Sequence, residues 1–302
     1  MMSHNTPVLS GIRILSLALN LPGPAALMRC QQMGAECVKL EPPANLPHNS
    51  SGDPMGSYQP NAYQTMHQGV RLVVADLKST DGQNTLHQEL SQSHILITSF
   101  RPSAMRKLGL DWETLHQRYP HLNQIAIVGS LGARAEEPGH DLTYMAENDL
   151  ITGLNLPPSL YADMAGSLLT TEAVLQVLLA QQKNSSSSEV AAGQYKEIAL
   201  SDAAAYLALP RHWGLTTPGK AVGGGHAGYN VYACLDGRVA IAALEPHFAL
   251  RLLQAAGQEP SAIAQIMQSS MHETIAKWVA LHSCSQLENI AHTLDIPLHT
   301  LK

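Results

Sequence analysis

The sequence predicts an α/β protein, with a parallel Rossmann-like sheet wrapped by helices and a smaller α+β domain after it. Three observations carry this expectation. Short apolar runs alternate with helical segments through the first two thirds of the chain, the pattern of strands buried on both faces. After about residue 205 the pattern changes to a hairpin followed by helices. Hydrophobic residues make up 45% of the 302 positions and charged residues only 14%, enough apolar material for one large core or two of ordinary size.

Taken in order, Ile12–Leu19 reads as the first strand and ends at the turn Pro22-Gly23-Pro24. Ala25–Met33 carries apolar residues at helical spacing and stops at Gly34, a C-cap signal. Glu36–Leu40 is the second strand, closed by Pro42-Pro43, and Val70–Leu77 is the third. Asp81–Ser91 reads as a helix with an acidic N-cap, His94–Phe100 as the fourth strand, and Asp111–Tyr119 as a short helix. Ile125–Val128 is the fifth strand. Leu142–Leu154 and the long apolar Asp163–Gln182 read as helices, then come a polar loop at 184–188, a strand over Gln194–Leu200 and a helix over Ala203–Trp213. Gly223–Gly225 is a flexible turn. Beyond it, Tyr229–Ala233 and Arg238–Ala243 flank Asp236-Gly237, a hairpin signal, and His247–Ala256, Ser261–Ser269 and Glu273–His282 read as helices. These segments place a large domain at 1–205 and a small one at 206–302.

Composition excludes several classes. With 18 Lys+Arg against 24 Asp+Glu, the net charge is −6 and no basic cluster is visible, which argues against a nucleic-acid partner. The N-terminus lacks the order of a signal peptide, and the apolar runs read as shorter than a membrane span, so a cytoplasmic protein with no membrane partner is expected. Cys30, Cys37, Cys234 and Cys284 are too scattered for a disulfide framework or a zinc ribbon, and no His or Cys spacing predicts a metal site. The dinucleotide glycine fingerprint and the phosphate-loop lysine motif are missing where they would be needed. The expectation is an enzyme acting on a small molecule.

Several stretches, in one order, resemble class III CoA-transferases. PGPAALMRCQQMGAECVKLEPP (22–43) is similar to the family's opening, ITSFRPSAMRKLGLDWETL (97–115) to its Phe-Arg-Pro loop, and GHDLTYMA (139–146) and ADMAG (162–166) to its two active-site segments. GQYKEIALSDAA (193–204) and YNVYACLDGRVAIAALEPHF (229–248) resemble its later strand and small-domain hairpin. The family includes formyl-CoA and carnitine CoA-transferases and 2-methylacyl-CoA racemase. The resemblance implies a coenzyme A thioester as substrate, a carboxylic acid as acceptor, no permanently bound cofactor, and a homodimer. It also implies that members continue past LDIPLHTLK (294–302) with a segment returning to the large domain.

In transferase members the aspartate matching Asp163 is the nucleophile. Its carboxylate attacks the thioester and forms a mixed anhydride. The released thiolate then attacks the enzyme's acyl carbon, giving an enzyme–CoA thioester that the acceptor acid opens in turn. In racemase members His140-Asp141 and Asp163 stand on opposite sides of the α-carbon and exchange its proton, with Glu245 as a supporting carboxylate. A non-catalytic acyl-CoA-binding relative is a third reading. For the CoA phosphates and pantetheine, the candidates are Arg101, Arg106, Lys39, Arg71, Pro22, Gly23 and Tyr144, several of them near the carboxyl ends of strands. Where the family usually carries Asn-Arg-Gly-Lys, this chain has His67-Gln68-Gly69-Val70, which predicts fewer phosphate contacts.

Overall fold

The computed structural model describes residues 6–44, 51–185 and 191–302, so most of the predicted serine loop and the first five residues lie outside the described residues. The chain divides into two compact units, Met1–Ala208 and Leu209–Lys302.

The first unit runs β1 (Arg13–Ser16), α1 (Pro22–Gln32), β2 (Glu36–Glu41), α2 (Pro54–Tyr58), α3 (Pro60–Met66), β3 (Arg71–Val74), α4 (Thr80–Leu90) and β4 (Ile95–Thr98). It continues with α5 (Pro102–Lys107), α6 (Trp112–Arg118), β5 (Asn123–Val128), α7 (Asp141–Glu147), α8 (Tyr161–Asn184), β6 (Tyr195–Ala199) and α9 (Leu200–Leu207). The six strands are all parallel in the order β3-β2-β1-β4-β5-β6. The central strands bury both faces by simple alternation. Ile14, Ile95, Ile97, Ile125 and Ile127 pack under α1 and α8, whereas Leu15, Val38, Leu40 and Leu96 pack on the opposite side against α4, α5 and α6. Each fully buried Leu or Ile contributes about 1.5–3 kcal/mol.

Local chemistry shifts several predicted boundaries. Pro22-Gly23-Pro24, expected as a turn, is the first turn of α1, because proline lacks only an N–H that the helix start leaves unused. A Cβ on Gly23 would lie 2.1 Å from the Ala18 Cβ, so the close approach of α1 to the preceding loop requires glycine there. Helix α4 is capped by Ser79, whose hydroxyl accepts from the Gly82 N–H at 3.0 Å, and not by Asp81. Helix α7 stops well short of Leu154. Helix α8 is longer than predicted, and its length and mean hydropathy of 1.2 would suit a membrane span. It is instead a core helix whose Ala162, Gly166, Ala173, Val174 and Val177 are buried.

The second unit holds α10 (Leu209–His212), β7 (Tyr229–Cys234), β8 (Gly237–Ala242), α11 (Pro246–Ala255), α12 (Ser269–Ala280), α13 (Cys284–Leu294) and β9 (Leu298–Leu301). Its antiparallel sheet has the order β7-β8-β9. Cys234 pairs with Gly237, so the hairpin turn is Leu235-Asp236, one residue earlier than predicted. Gly237 answers a packing need, since a Cβ there would meet the Leu301 carbonyl oxygen at 2.4 Å. The helices cover one face through Val239, Ile241, Leu252, Leu253, Ile275, Val279 and Leu287. The helix predicted over Ser261–Ser269 is a 3-10 turn over Pro260–Gln265, while α13 and β9 carried no prediction.

Candidate active site

The strand order reverses between β1 and β4, so the loops leaving these strands diverge and open a crevice at the carboxyl edge of the sheet. A cleft of about 270 Å³ lies there, lined by Asn20 and Pro22 after β1, by Ser99, Phe100 and Arg101 after β4, and by Gly129 after β5. Gly139, His140, Tyr144 and Asp163 complete it. The Ser99 hydroxyl accepts from the Leu19 N–H at 3.2 Å and joins the two diverging loops.

Asp163 is in the first turn of α8, whose positive end favours an anion. Helix α8 has Leu160 at its N-cap, a residue with no capping oxygen. The cap comes from elsewhere, because the buried Asp141 carboxylate accepts from the Asp163 N–H at 3.0 Å. Asp141 thus fixes the helix start that carries Asp163, and its own oxygen is committed there. Burial first, and the Asp141 charge second, push the Asp163 carboxyl up to about 7. His140 is exposed at the head of α7, where its N–H donates to the Thr143 hydroxyl at 3.1 Å.

Tyr144 is buried in the cleft wall. Its hydroxyl would lie 2.4 Å from a Cβ on either Gly129 or Gly139, so both glycines exist to seat the ring. Burial first, then the Asp163 charge, raise the Tyr144 phenol above its ordinary range.

Sequence reasoning missed Asn20 and what holds it. Asn20 takes a left-handed backbone, φ 63°, which costs a non-glycine residue about 1 kcal/mol or more. Its N–H donates to both Asp53 carboxylate oxygens at 3.1 and 3.2 Å, and Asp53 also caps α2 through the Met55 N–H at 2.9 Å. The Tyr58 hydroxyl donates to the Asn20 Oδ1 at 3.4 Å. Asp53-Pro54, a cap residue followed by an N1 proline, was the available signal.

Three predicted phosphate ligands are placed otherwise. Lys39 is fully buried, with its ammonium paired to Asp53 and 3.5 Å from Glu41, so it supports the Asp53 contact and has no route to a ligand. The Arg71 guanidinium donates to Glu89 at 2.6 Å, an acid shared with Arg13. Arg106 faces a neighbouring cleft of about 240 Å³ with Trp112 and Tyr195, and stands 3.7 Å from Glu136. Gly23 is buried at the start of α1 beside the cleft-lining Pro22. Glu245 lies in the second unit, exposed at the head of α11, where its carbonyl accepts from the Ala249 N–H at 2.9 Å. The structure therefore brings Asp163, His140, Arg101, Pro22 and Tyr144 into one cleft, with Asp141 behind it.

A doubly wound sheet with a half-buried carboxylate in its switch-point cleft is an α/β architecture that places small ligands at this edge. The chain belongs to CoA-transferase family III, whose model matches residues 9–302. It is 33% identical over 183 residues to the cinnamoyl-CoA:phenyllactate CoA-transferase of Clostridium sporogenes, a match covering 56% of this chain and 44% of that protein. It is 26% identical over 275 residues to the alpha-methylacyl-CoA racemase of Mus musculus, covering 87% of this chain and 68% of the racemase. The crystal structure of Rv3272 from Mycobacterium tuberculosis has the same fold, with a TM-score of 0.79 at 21% identity over 97% of this chain and 85% of that one.

Proposed function

We propose that this protein transfers coenzyme A between carboxylic acids through a covalent intermediate on Asp163. The observation that carries this reading is Asp163 in the switch-point cleft, its backbone N–H held by Asp141 and its carboxyl raised to about 7. A carboxylate of that basicity is a better nucleophile than an ordinary aspartate and is still ionised in good part near neutrality. An Asp163 oxygen adds to the thioester carbonyl, the C–S bond breaks, and the thiolate leaves. The thiolate then adds to the Asp163 acyl carbon and displaces the donor acid as its carboxylate. The acceptor carboxylate repeats these steps in reverse, so each bond broken is matched by one of the same kind formed. Arg101 at the mouth pairs with a phosphate or an acceptor carboxylate. The adenine end occupies the neighbouring aromatic cleft, which shares Phe100 and Val128 with the first.

The test is intact-protein mass spectrometry after mixing with assorted acyl-CoAs. An adduct that hydroxylamine removes, and that Asp163→Ala abolishes together with turnover by about 10³-fold or more, is the expected result. Full turnover by Asp163→Ala refutes it. A second reading, α-proton exchange on a 2-methylacyl-CoA, is favoured by His140 and Asp163 lining one cleft. It predicts deuterium uptake from heavy water with no acceptor acid present.

We further propose, on the family resemblance, that the chain forms a homodimer. Light scattering that gives twice the 32.5 kDa chain mass is expected, and one chain mass would refute it.

A further inference from the structure

Cys234, Asp236 and Cys284 meet at one end of the second unit, apart from the chemistry proposed above. Cys234 ends β7, Asp236 sits in the hairpin turn, and Cys284 opens α13. One ligand atom from each lies within 4.8 Å of the others. We infer that these three residues form a binding site for one thiophilic divalent cation of the zinc type.

The geometry is that of a chelating pair before metal arrives. The two sulfurs are 3.6 Å apart. Zinc–sulfur bonds of about 2.3 Å at a tetrahedral angle set two thiolates about 3.8 Å apart, so the pair needs almost no movement to bind. A disulfide would draw the sulfurs together to about 2.0 Å, a larger displacement. The carboxylate is also preset. One Asp236 oxygen accepts from the Cys284 N–H at 2.7 Å and stands 3.9 Å from the Cys234 sulfur, so the carboxylate is held facing the pair. The Leu235 N–H donates to the His282 carbonyl at 3.0 Å and ties the hairpin tip to the segment just before α13. Gly237 makes room, since a Cβ there would stand 3.0 Å from the Cys284 sulfur.

The donor set is two soft sulfurs and one hard oxygen, which selects zinc over calcium or magnesium. Three protein ligands leave a fourth position for water, and the exposed Asp236 puts that position toward solvent. Binding is balanced by release of one proton from each thiol, with the carboxylate entering already ionised. The cation then links the β7–β8 turn to the start of α13, two pieces otherwise joined by hydrogen bonds.

The test uses the full chain, reduced with a phosphine and freed of metal, titrated separately with zinc chloride and cobalt chloride. One cation per chain, a sulfur-to-cobalt charge-transfer band, and close to two protons released per cation are expected. Cys234→Ser and Cys284→Ser each weaken binding at least tenfold and remove or shift the band. Circular dichroism and melting of the metal-free variants establish that they fold. Cys30 and Cys37 are buried in the first unit's core, so a cobalt–sulfur band reports on this pair. The inference is overturned if no band appears, if binding survives Cys284→Ser, or if the reduced chain takes up no zinc.

Discussion

Asp163 concentrates the proposed chemistry and also a stability cost. Its carboxyl titrates near 7 in the fold against 3.8 ordinarily. Between those values the folded state keeps a proton that the unfolded chain releases, so stability falls as pH rises through that window and the loss is complete above about 7. Asp163→Asn removes the half-buried charge. It is expected to raise stability by about 0.5–2 kcal/mol at pH 8 and by nothing near pH 4, read from urea midpoints. Equal gains at both pH values would show that the charge is not the cause. If Asp163 is a nucleophile, turnover rises with pH through about 7 and then levels. A fall across the same range would identify it as an acid instead. The sequence marked Asp163 and His140 through the two short stretches around them. It gave no sign that Asp141 holds the start of α8, because the partner of its carboxylate is a backbone N–H on another helix, and nothing in local spacing reveals that.

At the scale of elements, the support beneath the cleft is the buried Lys39–Asp53 pair and the Asn20 amide resting on it. Asp53→Ala strands the Lys39 charge with only Glu41 nearby, and is expected to cost about 3 kcal/mol in equilibrium unfolding. Adding Lys39→Met should recover most of that loss, because a linear apolar side chain suits the buried site. A double variant no more stable than the single one would contradict this account. Gly139→Ala, which drives a methyl into the Tyr144 hydroxyl, is expected to cost about 1–3 kcal/mol by overpacking. The strands were legible because burial on both faces leaves near-continuous apolar runs. Short helices such as α2 and α5 were not, since each is about one and a half turns long and is placed by its packing and proline start. Lys39 read as a phosphate ligand because its partner Asp53 is fourteen positions away.

For the whole molecule, the buried His67 and His226 and the half-buried His87 are expected to set the acid limb of stability. Burial first pushes His67, His87 and His226 below their ordinary 6.5, helped by Lys39, Arg118 and His272 respectively. Below about 6.5 the unfolded chain takes up protons that the fold refuses, so stability is lost as pH falls from there. In the Asp163→Asn background, which removes the opposing carboxyl, the urea midpoint should be lower at pH 5.5 than at pH 7.5. A flat profile would mean these rings are solvated. The change in pattern near residue 205 falls close to the division of the chain at Ala208. The cation cluster could not be read from the sequence, because fifty positions separate its cysteines and only the hairpin and α13 bring them together. The order of the parallel sheet has a consequence during synthesis. Strand β1 leaves the ribosome first, yet one neighbour, β4, begins at Ile95, and the outermost strand on that side, β6, begins at Tyr195. The nascent chain must therefore carry an incomplete apolar sheet edge for much of translation, which makes truncated products sticky and the newborn protein a natural client of chaperones.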